Sequence, residues 1–331
     1  MTQQVPSTSP SIQYPAAIVI GGANVDNKSQ TLARPVSGTS NPGRSRSSLG
    51  GVGRNVAENL ARLGVSTALI TAIGEDANGD RLLHDTEAAG VDLRHSVRTL
   101  RPTGTYTALL DETGEMIIAI SAMEAIDDLT ADVIEAHRTL IAQAHILVLD
   151  CNVPADALVH AATIARDNAV RVVVDPVSVV KANRILSILD AGLPLHSITP
   201  NLDEFRALSG AIGLAGADIE SAATQLHAAG VQHVWVRLGE GGSFLSATQE
   251  GTQHCEHIGA CPATVVDRIG AGDAMLAGYV VALLRGRDPF SAAKYGRAAA
   301  AITVESEDTV SPFTDFATLA ARVAKCNESA S

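Results

Sequence analysis

The sequence predicts an α/β protein built on a doubly wound, mostly parallel sheet with helices on both faces and a small β-sheet lid. Two observations carry the large sheet. Short apolar runs rich in Val and Ile recur at residues 16–20, 66–73, 146–149, 172–174, 197–199 and 233–237, and helical stretches separate most of them. That alternation is the rhythm of parallel strands joined by helical crossovers. The composition agrees, because 46% hydrophobic residues with only 3% aromatics suits Ala- and Leu-rich helices packed on a Val/Ile sheet. A third observation carries the lid: residues 103–120 hold two β-like runs around Asp111-Glu112-Thr113-Gly114, a hairpin turn sequence.

In chain order, residues 1–14 are rich in Ser, Thr, Pro and Gln, with neither the basic start nor the apolar centre of a signal peptide. They are expected to form a disordered tail, which leaves a main domain at 15–326. The strand at 16–20 ends in Gly21-Gly22 and delivers Asn24 and Asp26 to its carboxyl end, where ligands of such sheets bind. Residues 29–49 are Ser-, Gly-, Pro- and Arg-rich without helical period, and are expected to be a loop or a few short exposed strands. With the hairpin they define lid segments at about 27–48 and 99–121. Residues 55–63 place Val56, Leu60 and Leu63 on one helical face, and Gly64 is a C-terminal cap. Helices are further expected near 79–89, 155–166, 202–208 and 219–229.

Charge narrows the function. A formal charge of −12, from 24 basic against 36 acidic residues, is wrong for neutralising a phosphate backbone, so a small-molecule partner is expected and nucleic acid is not. No apolar run approaches the ~20 residues of a membrane helix, and the protein is expected in the cytoplasm. Cys151, Cys255, Cys261 and Cys326 have no CxxC spacing and read as reduced thiols. The ten histidines lack HExxH or similar ligand spacing, which assigns them no metal.

The segment that carries chemistry is Asp267-Arg268-Ile269-Gly270-Ala271-Gly272-Asp273, followed by an apolar helix. Glycines that open a helix aim backbone N–H groups at one spot, where the helix dipole favours an anion. Asp273 in the first turn is then placed to accept the proton of an attacking hydroxyl, and phosphoryl transfer needs little beyond alignment, charge neutralisation and such a base. The same residues also suit a glycine-rich helix start with no ligand. A dinucleotide site is excluded, because Gly21-Gly22-Ala23-Asn24-Val25-Asp26 lacks the G-x-G-x-x-G spacing.

This segment resembles the carboxyl-terminal signature of ribokinase-like (PfkB-type) carbohydrate kinases, with Ile269 where a Thr or Ser is common. The family's amino-terminal signature resembles Gly50-Gly51-Val52-Gly53-Arg54-Asn55-Val56-Ala57, and the likeness extends over residues 16–324. The resemblance implies a ribokinase-like fold and a kinase using ATP and Mg²⁺, with K⁺ as a further candidate. It implies that Asn24, Asp26, Gly51 and Asn55 bind the acceptor's sugar hydroxyls, and that Gly270, Ala271 and Gly272 receive phosphoryl charge beside the base Asp273. Asn201 and Glu204 would stand near the triphosphate and the water shell of Mg²⁺, Arg237, Gly239 and Gly242 would line the nucleotide side, and Asp267 would help hold the monovalent cation. Asn201 and Asn55 are equally readable as helix caps. A homodimer through the lid is also common in the family.

Within that family the sequence is similar to pseudouridine kinases in several finer details. These are Gly21 to Asp26, Ser40-Asn41-Pro42-Gly43, residues 50–64, the hairpin turn, Asp150-Cys151-Asn152, and Asp175-Pro176-Val177-Ser178 with Lys181 behind. The resemblance implies phosphorylation of the 5′-hydroxyl of pseudouridine. The amide of Asn41, with Ser40, could pair with a uracil ring, although Asn-Pro-Gly is also an ordinary turn. Asp150 and Asn152, at a strand's carboxyl end, are candidates for substrate or metal-water contact, although such positions also hold capping residues, and Asp175 and Lys181 are candidates for the triphosphate. Other sugar or nucleoside kinases (ribose, fructose, adenosine) and a catalytically silent sensor on the same fold remain as alternatives.

Overall fold

The computed structural model describes residues 14–249 and 251–328. The tail expected at 1–14 lies outside them except for Tyr14, which packs against the core. The chain runs β1 (Ala17–Ile20), β2 (Asn24–Thr31), β3 (Gly43–Gly50), α1 (Val52–Arg62), β4 (Thr67–Ile70), β5 (Ala72–Gly74) and α2 (Ala77–Ala88). It continues with β6 (Val97–Thr99), β7 (Thr105–Leu110), β8 (Met116–Ala122), α3 (Ala131–Ala136), α4 (Arg138–Ala142), β9 (Ile146–Asp150), α5 (Ala155–Asp167) and β10 (Arg171–Asp175). Then come α6 (Arg184–Asp190), β11 (Leu195–Ile198), α7 (Leu202–Ala211), α8 (Ile219–Ala228), β12 (Val231–Arg237), β13 (Ser243–Gln249) and β14 (Thr252–Ile258). The chain ends in α9 (Ala271–Leu284), α10 (Pro289–Val304) and α11 (Phe316–Glu328).

The main sheet has eight strands in the order β14-β13-β12-β11-β10-β9-β1-β4, parallel from β12 to β4 and antiparallel across β12, β13 and β14. Its central strands are apolar throughout because both faces are covered. Ile18, Ile20, Leu147, Leu149, Val172 and Val174 join the layer that holds Leu158, Ile188, Phe205 and Leu226. Val19, Val148 and Val173 alternate to the other face, against Leu60 of α1 and Val280 and Ala298 of α9 and α10. Helix α1 stops at Gly64, whose φ of 82° suits a left-handed cap.

A second sheet, in the order β3-β2-β7-β8, rises from the carboxyl end of the first. Its β7–β8 turn falls at Asp111–Gly114, where the Asp111 carboxylate accepts the N–H of Thr113 at 2.8 Å. The stretch 29–49 is more ordered than a loop: β2 and β3 pair antiparallel from Asn24↔Gly50 to Thr31↔Gly43. Ser, Gly and Arg carry weak strand propensity, and the pairing is won by the neighbouring strand, which the local sequence does not display.

One expectation is corrected outright. Cys261 and Cys326 are joined in a disulfide with Cα atoms 5.3 Å apart, leaving only Cys151 and Cys255 as free thiols among the described residues. Their separation of 65 residues forms no motif, and only the packing of α11 brings them together. Among the described residues no helix is long and apolar enough to cross a membrane.

Candidate active site

The carboxyl ends of β9, β10 and β12 meet the head of α9 at one end of the main sheet. The chain enters α9 through Gly270, whose φ of 77° is left-handed and whose missing side chain leaves room for the Thr309 carbonyl. Ala274 makes the first helical hydrogen bond, to the Gly270 carbonyl at 2.9 Å. The N–H groups of Gly272 and Asp273 therefore precede the ladder, and that of Ala271 only leans toward the Arg268 carbonyl at 3.4 Å. With the helix dipole behind them they form an anion cradle.

The cradle opens on a cavity of about 720 Å³, whose lining includes Asp175, Asn201, Glu204, Arg237, Gly239, Gly242, Ala271, Gly272 and Asp273. A second cavity of about 800 Å³ lies between α7, α8 and the antiparallel strands, and none of the candidate residues lines it.

Asp273 shows part of its surface to the cleft and is enclosed by protein elsewhere. That enclosure pushes its pKa up to about 7, and the charges of Asp175 and Asp150 add to the rise. A hydrogen bond from Asn55 Nδ2 to its Oδ2, at 2.8 Å, acts the other way, as does the charge of Arg237. A carboxyl that loses its proton near neutrality is matched to the work of a general base. Asn55 is not a helix cap: α1 begins at Val52 behind Gly51, so Asn55 lies inside the first turns and spends its amide on Asp273.

Arg237 bridges two carboxylates on the wall of the cleft. Its Nη1 lies 3.1 Å from Asp175 Oδ2 and its Nη2 3.4 Å from Glu204 Oε2, both carboxylates being buried. The guanidinium rests against Gly272, where a Cβ would stand 2.7 Å from Nη1. Asn201 and Glu204 form a capping box on α7 while also lining the cleft. Burial raises the pKa of Glu204, helped by Asp175.

Asp150 was a candidate for substrate or metal contact, and the structure gives its carboxylate to the backbone instead. It accepts the N–H groups of Gly22 at 2.8 Å, Gly53 at 2.7 Å and Asn152 at 2.8 Å, which fastens the two glycine loops together. Asn152 and Lys181 meet each other, Nζ to Oδ1 at 2.5 Å. Asn24 donates to Asp26 at 2.6 Å beside Gly50, and burial raises the pKa of Asp26.

Ser40 and Asn41 are not brought to this group. They lie in the exposed turn at the far end of β2 and β3, and seven residues of strand separate that end from Asn24, roughly 23 Å. The Asn41 amide is spent on its own turn, accepting from Val36 N at 2.8 Å and donating to the Val36 carbonyl at 2.9 Å. Sequence reasoning also gave no role to Val177, a cleft residue held at φ 69° with its N–H on Asp175 Oδ1 at 2.8 Å. A β-branched residue in the left-handed region is strained, and no local sequence signal marks it.

Residues 16–315 match the pfkB family carbohydrate kinase model. The chain belongs to that family. It is 34% identical over 296 residues to an uncharacterized sugar kinase of Escherichia coli, covering 89% of this chain and 80% of that one. It is 32% identical over 299 residues to the pseudouridine kinase of Escherichia coli, covering 89% and 92%. The solved ribokinase of Thermotoga maritima superposes with a TM-score of 0.80 at 26% identity, covering 94% of this chain and 100% of that one, so the fold is ribokinase-like.

In this pfkB kinase the donors near the cradle decide how a metal would be held. Among the described residues no three His, Cys, Asp or Glu side chains are grouped to hold an ion. Glu204 is already engaged by Asn201 N–H at 2.8 Å and by Arg237, so a divalent cation fits here as a hydrated ion carried on nucleotide phosphates. Asp267 accepts the Ile269 N–H at 3.0 Å and faces the Lys28 ammonium at 3.7 Å, so a cation already stands beside its carboxylate.

Proposed function

We propose that this pfkB kinase transfers the terminal phosphoryl group of ATP to the 5′-hydroxyl of pseudouridine, giving pseudouridine 5′-phosphate. One observation carries the reading: the Asp273 carboxylate and the unladdered amides at the head of α9 share one corner of the cleft. Asp273 accepts the proton of the acceptor hydroxyl as its oxygen attacks phosphorus, and the amides of Ala271 and Gly272 receive charge on the moving group. Asn24, Asp26, Gly51, Asn55 and Asn152 hold the sugar. Lys181, Asn201, Glu204, Arg237, Gly239 and Gly242 hold the nucleotide, and Glu204 would hold Mg²⁺ through water, where the ion would supply charge neutralisation on the phosphates. A K⁺ role for Asp267 has to displace Lys28.

The pseudouridine assignment is supported by the finer sequence likeness and by the Escherichia coli pseudouridine kinase, matched over nearly its whole length. A second reading, a free pentose as acceptor, is favoured by Asn41, whose amide is spent far from the base that it would have to read. A substrate panel with ATP and Mg²⁺ separates the two: turnover of pseudouridine well above uridine and ribose is expected, and preference for a free sugar overturns the assignment. We place the enzyme in the cytoplasm as a homodimer. Met116, Ile117, Ile118 and Ile120 of β8 are exposed on the small sheet and supply the apolar face for pairing, which light scattering checks.

A further inference from the structure

We infer that Arg54 is a positioning residue for the phosphoryl-transfer base, acting through Asn55 by fixing which end of that amide faces Asp273. This rests on the reading of Asp273 as the base. Arg54 follows Gly53 in α1 and is buried under the lid strands, where a guanidinium is costly unless every contact is used. Its Nη1 donates to Asn55 Oδ1 at 2.9 Å and to the Leu49 carbonyl at 3.3 Å, its Nε to Thr86 Oγ1 at 3.4 Å, and its Nη2 pairs with Glu58. Glu58 is steadied in turn by Arg62 at 2.8 Å.

The consequence lies in the chemistry of the amide. An asparagine can present either its oxygen or its nitrogen, and the two orientations fill nearly the same space. Arginine has donors and no acceptor, so Arg54 accepts only the orientation in which Oδ1 turns to it. Nδ2 is then aimed at Asp273 Oδ2, where it stands at 2.8 Å. A flipped amide would set an oxygen against the carboxylate and would favour protonated Asp273, which is no base. The other charged groups that face Asp273 are Asp175, Asp150 and Arg237, from β10, β9 and β12, and the hydrogen bonds of the Asn55 amide run to Arg54 and Asp273 instead. Arg54 itself is faced by Glu58, Arg62 and Asp26.

A double-mutant cycle tests this. Arg54→Met leaves Glu58 its partner Arg62, and it is expected to lower kcat about tenfold with little change in KM, the worth of one well-aimed hydrogen bond. It should also move the acid limb of the pH profile upward. In an Asn55→Ala background the same change should alter kcat by less than about twofold, since the link it acts through is gone. Should Arg54→Met not fold, Arg54→Lys is used in both backgrounds, with a loss expected only where Asn55 is present. Additive losses, or a wild-type kcat and pH profile in the single variant, overturn the inference. Asp273→Asn is measured alongside: if it retains turnover the base assignment itself falls, whereas an inactive Asp273→Asn with an additive cycle removes only Arg54.

Discussion

Arg237 and Asp175, at the carboxyl ends of β12 and β10, form a buried ion pair 3.1 Å apart directly beneath the head of α9. The same guanidinium serves Glu204, so one cation answers two buried carboxylates. Arg237→Met should therefore destabilise the fold by about 3–5 kcal/mol near neutral pH, the cost of stranding buried charge. The loss should shrink toward acid pH, because burial already raises the pKa of Glu204 and the stranded carboxyl takes up its proton sooner than an ordinary one as pH falls. Urea unfolding at neutral and acid pH reads it, and a loss independent of pH would show that packing of the long side chain, not charge, is what Arg237 contributes.

Asp175 also acts on Asp273. Its negative charge helps burial raise the pKa of Asp273 to about 7, so the reactive, ionised form of Asp273 accumulates as pH rises through that value. The rate at limiting acceptor should climb through the same range. In Asp175→Asn that contribution is removed, and the acid limb should move to lower pH by roughly one unit, while turnover at alkaline pH depends on how well Arg237 keeps its place. An unmoved limb in this variant means that some other group titrates in the wild-type profile.

Asp273→Asn separates catalysis from stability. Turnover should fall roughly 10²- to 10⁴-fold, the usual worth of a positioned base. Stability should change the other way. The folded carboxyl titrates near 7 against an ordinary 3.8, so between those values the folded chain holds a proton that the unfolded chain has released. Its stability contribution is whole below the lower value and is lost as pH rises to the upper one. The amide has no such loss, and the variant should be more stable than wild type above about pH 7, on the order of 1–3 kcal/mol. Paired melts at acid and alkaline pH check the sign.

Much of this site was legible because its backbone chemistry is local. A glycine-opened helix with an aspartate in its first turn marks the amide cradle and the carboxylate beside it within seven residues, Asp267 to Asp273. The alternation of strand and helix was legible because period is a local property. What was hidden depends on partners distant in sequence. Asn55 reads as a cap until α9 arrives with Asp273, and Asp150 reads as a ligand until Gly22 and Gly53 take its lone pairs. The pairing of Cys261 with Cys326 is of the same kind, and so is the ladder that turns the Ser- and Arg-rich stretch into β2 and β3.

The thiols offer a direct count. Of four cysteines, Cys255 is exposed and free, Cys151 is buried, and the other two are paired. A thiol reagent should find one group in the native protein, two after unfolding without reductant, and four after reduction. Because the bond ties Cys261, on the wall of the cleft, to α11, reduction should lower stability by about 2–4 kcal/mol and raise the KM for ATP. Four thiols without reductant would return the chain to the reduced state expected in a cytoplasm.

The small sheet is also tied by charge to the loops before α9 and after α10. Lys28 on β2 lies 3.7 Å from Asp267, just before the cradle, and Arg46 on β3 lies 3.3 Å from both Glu307 and Asp308, beyond α10. These pairs are partly open to solvent, so each is worth at most about 1 kcal/mol to the fold. Their larger effect should fall on how often the small sheet is seated over the cleft, because a lid that opened more often would lower the apparent affinity by the fraction of time it is open. Lys28→Met with Arg46→Met should raise the acceptor KM about three- to tenfold while leaving the melting temperature nearly unchanged, and added salt should reproduce part of the effect in the wild type. A kcat loss with no change in KM would assign these pairs to the chemistry of the cradle and not to the seating of the lid.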